Sequence, residues 1–286
     1  MRNENIPPKP PAKFGVIKIS IYLIIALFLS SWFFVFTVED ADLLELFSEE
    51  NLKYTEKFFN GLAGVGEENP AFLNKENWMN GLKLSLETMQ MSIMAIGFST
   101  ILMVLTVIPA ARNVADGTLT LARKWYGKFL YGVIRGLYIF SRSVPELIWA
   151  MIVIFIFKPG ILPGAIALML HNFGILGKLC AEVIEDVDTR PIRSLASSGA
   201  SKAQIFIYGV IPTVLPQFIT YILYRWEVII RTTIVVGFVG AGGLGQAFKL
   251  SMSFFHYSDI TLFLICYVLL VVLADAISEG IRRFIK

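Results

Sequence analysis

The residues best placed for chemistry in this chain of 286 residues are charged side chains set inside apolar runs. Arg225, Glu227 and Arg231 interrupt one run, and Arg142 and Glu146 flank Pro145 in another. A charge at the centre of a bilayer costs about 2.5–3.5 kcal/mol on insertion scales, so such residues pair, snorkel or line a wet cavity. Glu227 and Arg231 are i, i+4 neighbours in the favourable order, and Arg142 with Glu146 is the reverse-ordered pair. That scheme leaves Arg225 over. An unpaired arginine facing a wet cavity would supply a positive potential there. Nearby, His171 and Asn172 are expected to make interhelical hydrogen bonds.

Other chemistries are excluded by type and spacing. Gly240-Ala-Gly-Gly-Leu-Gly245 fits GxGxxG, and Asp259 follows its first glycine by 19 positions. The dinucleotide fingerprint requires a strand before it, inside a βαβ unit. An apolar, helix-length run stands there instead, so tight turning or close helix packing accounts for the glycines. The sequence holds no GxxxxGK[ST] phosphate loop, no HExxH and no GxSxG. Two histidines and two cysteines, Cys180 and Cys266, give no metal cluster, disulfide scaffold or redox pair. The chain is therefore read as neither an enzyme nor the holder of a cofactor.

The elements that must position these residues follow from composition. Hydrophobic residues make up 56% and charged residues 16%, with a mean hydropathy of +0.66. A soluble domain carries about 25% charged residues. The net charge of +3 argues against nucleic acid as a partner, and the lipid bilayer is the partner that remains. Six runs meet the requirement of about 20 apolar residues per span: about 14–36, 82–111, 129–157, 161–183, 205–239 and 260–281. The reading is an all-α polytopic membrane protein with about six transmembrane helices. The first run is too long for a signal peptide and lacks a cleavage site.

Basic residues then set the orientation. Arg2, Lys9, Lys13 and Lys18 start the first span. Arg112, Arg123, Lys124 and Lys128 lie between spans two and three, and Lys178, Arg190, Arg193 and Lys202 surround the segment after span four. Arg282, Arg283 and Lys286 end the chain. All fall on one side, so both termini are expected in the cytoplasm. The opposite side receives an acidic loop at 38–80, with ten acids against three lysines and short amphipathic helices expected near Leu43–Phe47 and Tyr54–Phe59. The organisation read from this is a cytoplasmic tail at 1–13, extended around its prolines at 7–11, an anchor helix at 14–37, the external loop at 38–80, and a core at 81–286.

The segment after span four reads as a short helix, a sharp turn and a second helix start. Asp188 or Thr189 caps a helix whose first turn holds Pro191. Ile192, Leu195, Ala196 and Gly199 recur at i, i+3, i+4, i+7. Gly199 suits a left-handed terminator, and Ser201 with Gln204 forms a capping box for the next helix. So short a helix is marginal alone and must lean on a groove, either in a cytoplasmic partner or on its own protein.

Here a family resemblance enters. Gly199-Ala-Ser201 followed by Ile211-Pro212 and Pro216 resembles the cytoplasmic loop of binding-protein-dependent ABC importer permeases. That pattern is Glu-Ala-Ala, three residues, Gly, nine residues, Ile-x-Leu-Pro. Arg193, Ser194 and Leu195 stand where it has Glu-Ala-Ala, so a cation replaces its anion. Arg142-Ser-Val-Pro-Glu-Leu-Ile-Trp-Ala150, Gly174-Ile-Leu-Gly-Lys178, Glu182-Val-Ile-Glu185, Tyr224-Arg-Trp-Glu227, Arg231 and 237–245 are together similar to the phosphonate-type branch. The likeness covers about 80–286.

It implies a type I ABC importer permease of MetI-like architecture in the cell membrane, transporting by alternating access. The implied partners are a second copy of the chain, two cytoplasmic ATPase subunits that bind ATP and Mg, and an external substrate-binding protein. The implied cargo is phosphonate, phosphite or a related oxyanion. ATPase coupling would fall within 186–212, on Arg193, Leu195, Ala196, Ser198, Gly199, Ala200, Ser201 and Pro212. The translocation pathway or gate would be lined by Arg142, Glu146, Arg225, Glu227 and Arg231, with the binding protein docking on the external ends near 158–163 and 240–258. Two alternatives stay open: a permease of the same kind for methionine or another small solute, and a secondary transporter or integral-membrane enzyme.

Overall fold

The computed structural model describes residues 15–38, 45–119 and 126–285 and is helical there, with no strand among the described residues. The 1–13 tail, with its proline-rich lead-in, and Arg123, Lys124 and Lys286 lie outside them. Two compact units divide the chain at Phe59 and Asn60.

The first unit contains α1, Val16–Thr37, 22 residues that are exposed along their whole length. At 1.5 Å per residue it spans about 33 Å, enough for a bilayer core. Its hydroxyls return to their own helix: Ser30 Oγ donates to Leu27 O at 3.0 Å and Thr37 Oγ1 to Phe33 O at 2.6 Å. Of the helix expected at Leu43–Phe47, residues 43 and 44 lie outside the described set and Glu45–Phe47 forms a 3-10 turn. The helix expected at Tyr54–Phe59 is longer: α2 runs Glu49–Leu62, with Glu49 and Glu50 in the first turn, where the helix dipole favours acids.

In the second unit, the end of α2 and a 3-10 turn at Ala71–Leu73 pack on the last helix. Thr261 Oγ1 donates to Leu62 O at 2.7 Å, and Ala71 N donates to Ser258 Oγ at 3.1 Å. The Asn74 side chain caps α3, Lys75–Val107, by accepting from Glu76 N at 2.9 Å, so the span begins several residues before the expected 82. A short α4, Arg112–Ala115, follows. Next come α5 (Gly127–Ser143), α6 (Glu146–Phe157) and α7 (Ile161–Glu185). After α8 (Thr189–Ser197) and α9 (Lys202–Gln204), a wide π turn at Ile205–Val210 leads into α10 (Ile211–Val236). A second π turn at Gly237–Ala241 closes that span. The chain ends in α11 (Gly243–Ser253) and α12 (Tyr257–Ile285).

Five helical stretches are long and apolar enough to cross a membrane, and a sixth results if α5 and α6 count together. The expected single span at 129–157 is in fact two helices meeting at 92°. Their 17 and 12 residues reach about 26 and 18 Å, and neither alone spans the roughly 30 Å core. Pro145 causes the break, since it has no N–H to continue α5 and holds Val144 in extended backbone, φ −84°, ψ 120°. In lipid the freed carbonyls need donors. Trp149 Nε1 donates to Ser141 O at 3.0 Å, and His171 Nδ1 lies 2.9 Å from Val144 O.

Helix α7 occupies the centre, against α3, α5, α6 and α10. Small residues let the backbones approach, as expected where lipid gives no hydrophobic drive between helices. Ala95, Ala165 and Ala167 are fully buried, and Ser99 Oγ reaches from α3 to Met169 O at 3.2 Å. Gly177 faces the ring of Tyr138, whose hydroxyl lies 2.7 Å from Thr106 Oγ1. Gly237 and Gly245 meet backbone to backbone, a Cβ on Gly237 falling 2.7 Å from Gly245 Cα. In the same stretch Gly240, Gly242 and Gly243 take φ of 103°, 91° and 66°, and Thr88 Oγ1 accepts from Leu244 N at 2.9 Å. Turning and close packing therefore explain the GxGxxG string. Gly245→Ala should push its Cβ against Ile234 O and destabilise the detergent-purified protein by about 1–3 kcal/mol. Gly280→Ala, where the added Cβ meets nothing, should not. Thermal melts of the two variants test this, and equal melting temperatures would count against the packing role.

Candidate functional site

Most of the charges inside the spans form interhelical pairs. Glu227 does not pair with Arg231 as expected from their i, i+4 spacing. Its carboxylate accepts from Arg282 of α12 at 2.6 Å and from Ser278 Oγ, at a residue exposure of only 8%. Arg231 binds Asp275 of α12 through both carboxylate oxygens at 2.8 Å. The partner helix wins because Asp275, Ser278 and Arg282 lie at i, i+3 and i+7, one stripe along α12 that faces α10. That spacing is readable in the final apolar run. It is the signal that finds these partners, which reading span five alone misses.

Arg225 carries the third charge of α10, and it meets no carboxylate directly. Its Nε donates to Asn172 Oδ1 on α7 at 3.0 Å, and a second guanidinium N–H donates to the same oxygen. Asn172 is fully buried and donates through Nδ2 to Leu168 O at 2.8 Å. Glu146 acts on Arg225 electrostatically and sits 3.4 Å from His171 Nε2. The expected Arg142–Glu146 pair does not form: Glu146 turns to His171, and Arg142 is exposed with no bonded partner among the described residues. The break at Pro145 thus gathers Glu146, His171, Asn172 and Arg225 from three helices, while Glu227 and Arg231 belong to a separate α10–α12 clamp.

The segment at 186–212 has the local structure its residues predict. Asp188 caps α8, accepting from Arg190 N at 2.9 Å, and pairs with the Arg190 guanidinium at 2.8 Å. These bonds hold the Asp188 carboxyl below its ordinary value, so the cap is fully formed above the unfolded value and is lost as pH falls through the folded one. Gly199 ends the helix at φ 82°, with Gly199 N donating to Ala196 O and Ala200 N to Leu195 O, both at 3.1 Å. Ser201 and Gln204 form the capping box, Ser201 N donating to Gln204 Oε1 at 2.7 Å.

The groove on which α8 leans is the protein's own. Ile192 is 1% exposed, Leu195, Ala196 and Ala200 are half-buried against the core, and Gly209 lies beneath Leu195 and Ile192. An amphipathic pattern names a buried face but not the surface that buries it. The outward face is polar: Arg193, Ser194, Ser197, Ser198, Gly199 and Ser201 are exposed, as is Pro212.

Packing also sorts the ends of the bundle. Arg112 N donates to Glu185 Oε1 at 2.6 Å, and Asn113 Nδ2 to Ile184 O at 2.7 Å. Arg135, which sequence reading passed over, binds Glu185 at 2.6 Å and Ala110 O at 2.8 Å. One groove brings Val114 and Leu119 against Lys202 and Ile205, and another brings Pro216 and Gln217 against Arg282 and Arg283. The basic ends of α3, α7, α10 and α12 therefore lie together. Elsewhere Gly160 N donates to Gly240 O at 3.1 Å, joining the turn after α6 to the glycine-rich turn.

Comparison with known proteins agrees with this architecture. The family model for binding-protein-dependent transport system inner membrane components matches residues 117–286. The phosphite transport system permease protein PtxC of Stutzerimonas stutzeri is 35% identical over 217 residues, 76% of this chain and 74% of that one. The phosphate-import permease protein PhnE of Mycolicibacterium smegmatis is 30% identical, over 71% of this chain and 36% of that one. The methionine import system permease protein MetP of Bacillus subtilis is 26% identical, over 52% and 69%. Among solved structures, the inward-facing MetNI methionine ABC transporter matches with a TM-score of 0.63 at 17% identity, covering 74% of this chain and 99% of that one. The match is to the fold. The family model covers more than half of the chain's length, and the helical bundle of the described residues agrees with it: the chain belongs to the binding-protein-dependent transport system inner membrane components, the multi-pass permease subunits of such systems.

Proposed function

We propose that the chain is the permease of an ATP-driven importer for phosphite or phosphonate oxyanions. The observation that carries this reading is Arg225, a membrane-embedded guanidinium held by an amide and bonded to no carboxylate. An oxyanion entering hydrocarbon faces an idealised cost on the order of 20 kcal/mol per charge, and a fixed positive potential in a wet cavity offsets it. The likeness to PtxC, named for phosphite transport, across 76% of this chain and 74% of that one supports the same cargo.

Two copies would enclose the pathway, with an ATPase subunit under each and a binding protein outside. Clustering of the basic helix ends supports both termini lying in the cytoplasm, the 38–80 loop outside and 81–286 as the working core. The polar face of α8 would enter the ATPase, with Arg193 reaching an acidic partner. Its apolar face, seated on the π turn, would pass rigid-body motion to α10. The Gly160–Gly240 link supports docking of the binding protein near 158–163 and 240–258.

Uptake into proteoliposomes carrying the permease, its ATPase and its binding protein tests the cargo. Phosphite or phosphonate should compete for uptake and methionine should not; the reverse would sink the reading. Arg225→Ala should cut oxyanion uptake about ten-fold or more while ATPase subunits still co-purify, and parallel loss of both would make it structural. Gly199→Leu forces a branched residue to φ 82°, at about 1–2 kcal/mol. The added side chain meets nothing, so insertion should persist. ATP hydrolysis should continue with uptake lost, and normal uptake would refute the lever.

A further inference from the structure

We propose that Asn172 is a positioning residue for the transported anion: it fixes the Arg225 guanidinium without cancelling its charge. This deepens the oxyanion reading and rests on it. Asn172 Nδ2 donates to Leu168 O at 2.8 Å, which settles the amide orientation and points Oδ1 at α10. That oxygen takes Nε at 3.0 Å and one further N–H. Two of the five guanidinium donors are then used, and three are left for a ligand.

A comparison internal to the protein gives this arrangement its meaning. The other two charges of α10 meet ionised partners on α12, Glu227 with Arg282 at 2.6 Å and Arg231 with Asp275 at 2.8 Å. Charge-assisted bonds to a carboxylate are roughly twice as strong as neutral ones. If Arg225 served only to join α7 to α10, an aspartate at 172 would join them better. The position holds instead the uncharged side chain of nearly the same shape.

The other charged or titratable groups around the cluster leave the Arg225 charge without a bonded counter-ion. Glu146 on α6 and the neighbouring Tyr224 act on Arg225 without bonding it, and Glu146 contacts His171 Nε2 at 3.4 Å. One guanidinium therefore stands against one carboxylate that does not touch it. An aspartate at 172 would add a second carboxylate in direct contact with the guanidinium, and the sum would turn negative.

The test compares Asn172→Asp and Asn172→Ala with the unaltered chain in the reconstituted complex, using phosphite as the probe. Asn172→Asp should purify with its ATPase and melt no lower than the unaltered protein. Its phosphite uptake per ATP hydrolysed should fall at least ten-fold. Adding Glu146→Gln, which removes the other negative charge, should restore uptake several-fold. Asn172→Ala, which frees the guanidinium, should raise the KM for phosphite more than it lowers the maximal rate. Unaltered uptake by Asn172→Asp would overturn the proposal, as would a loss that follows assembly and is not relieved by Glu146→Gln. If the unaltered complex moves no oxyanion at all, the cargo reading fails instead, which separates the two.

Discussion

The organisation of this protein depends on what hydrocarbon does to a charge. Water shields ions almost completely, and the bilayer interior does not, so every charged side chain placed there needs an opposite charge, a route to the interface or a wet surface. Helix α10 carries three charges in seven residues, and only two of them find an opposite charge within bonding distance. Glu227 and Arg231 are matched by Arg282 and Asp275 and fasten α10 to α12. Arg225 meets an amide instead and keeps its charge. A span whose charges were all matched would be a strut. The unmatched one gives the bundle an electrostatic sign.

The same solvent imposes a parallel demand on the backbone. A helix can be broken in lipid only where other groups satisfy the carbonyls released. At Pro145 those groups are the indole of Trp149 and the imidazole of His171, both reaching carbonyls near the break. His171 also meets Glu146, so the donor that secures the break is joined to the charged cluster. The bend and the polar site are one construction. Around them the fold relies on small residues, because in lipid the packing surface itself must provide the attraction.

What could be read from the sequence divides along the distance over which the information acts. The Asp188 cap, the Gly199 terminator and the Ser201–Gln204 box depend on neighbours within a few residues, and all three stand as their residue types imply. Six apolar runs were legible for the same reason. Three features were not. A proline announces a kink, but a 92° break depends on a histidine 26 positions away. The i, i+4 pairing of Glu227 and Arg231 is sound local reasoning, and a carboxylate and a guanidinium on α12 compete it away at shorter range. The apolar stripe of α8 was plain, whereas its resting place on Gly209 and the core belongs to tertiary structure.

The tie between Gly160 and Gly240 has an evolutionary consequence. Both bonding atoms belong to the main chain, so no exchange of side chains around that rim, short of a proline at 160, removes either donor or acceptor. Side chains on the two turns can therefore be exchanged while the main-chain bond between the turns persists. The demands placed on the sequence are residues at 160 and 240 content with φ of 157° and 103°, which glycine meets at no steric cost. The surface here can vary without the frame varying with it.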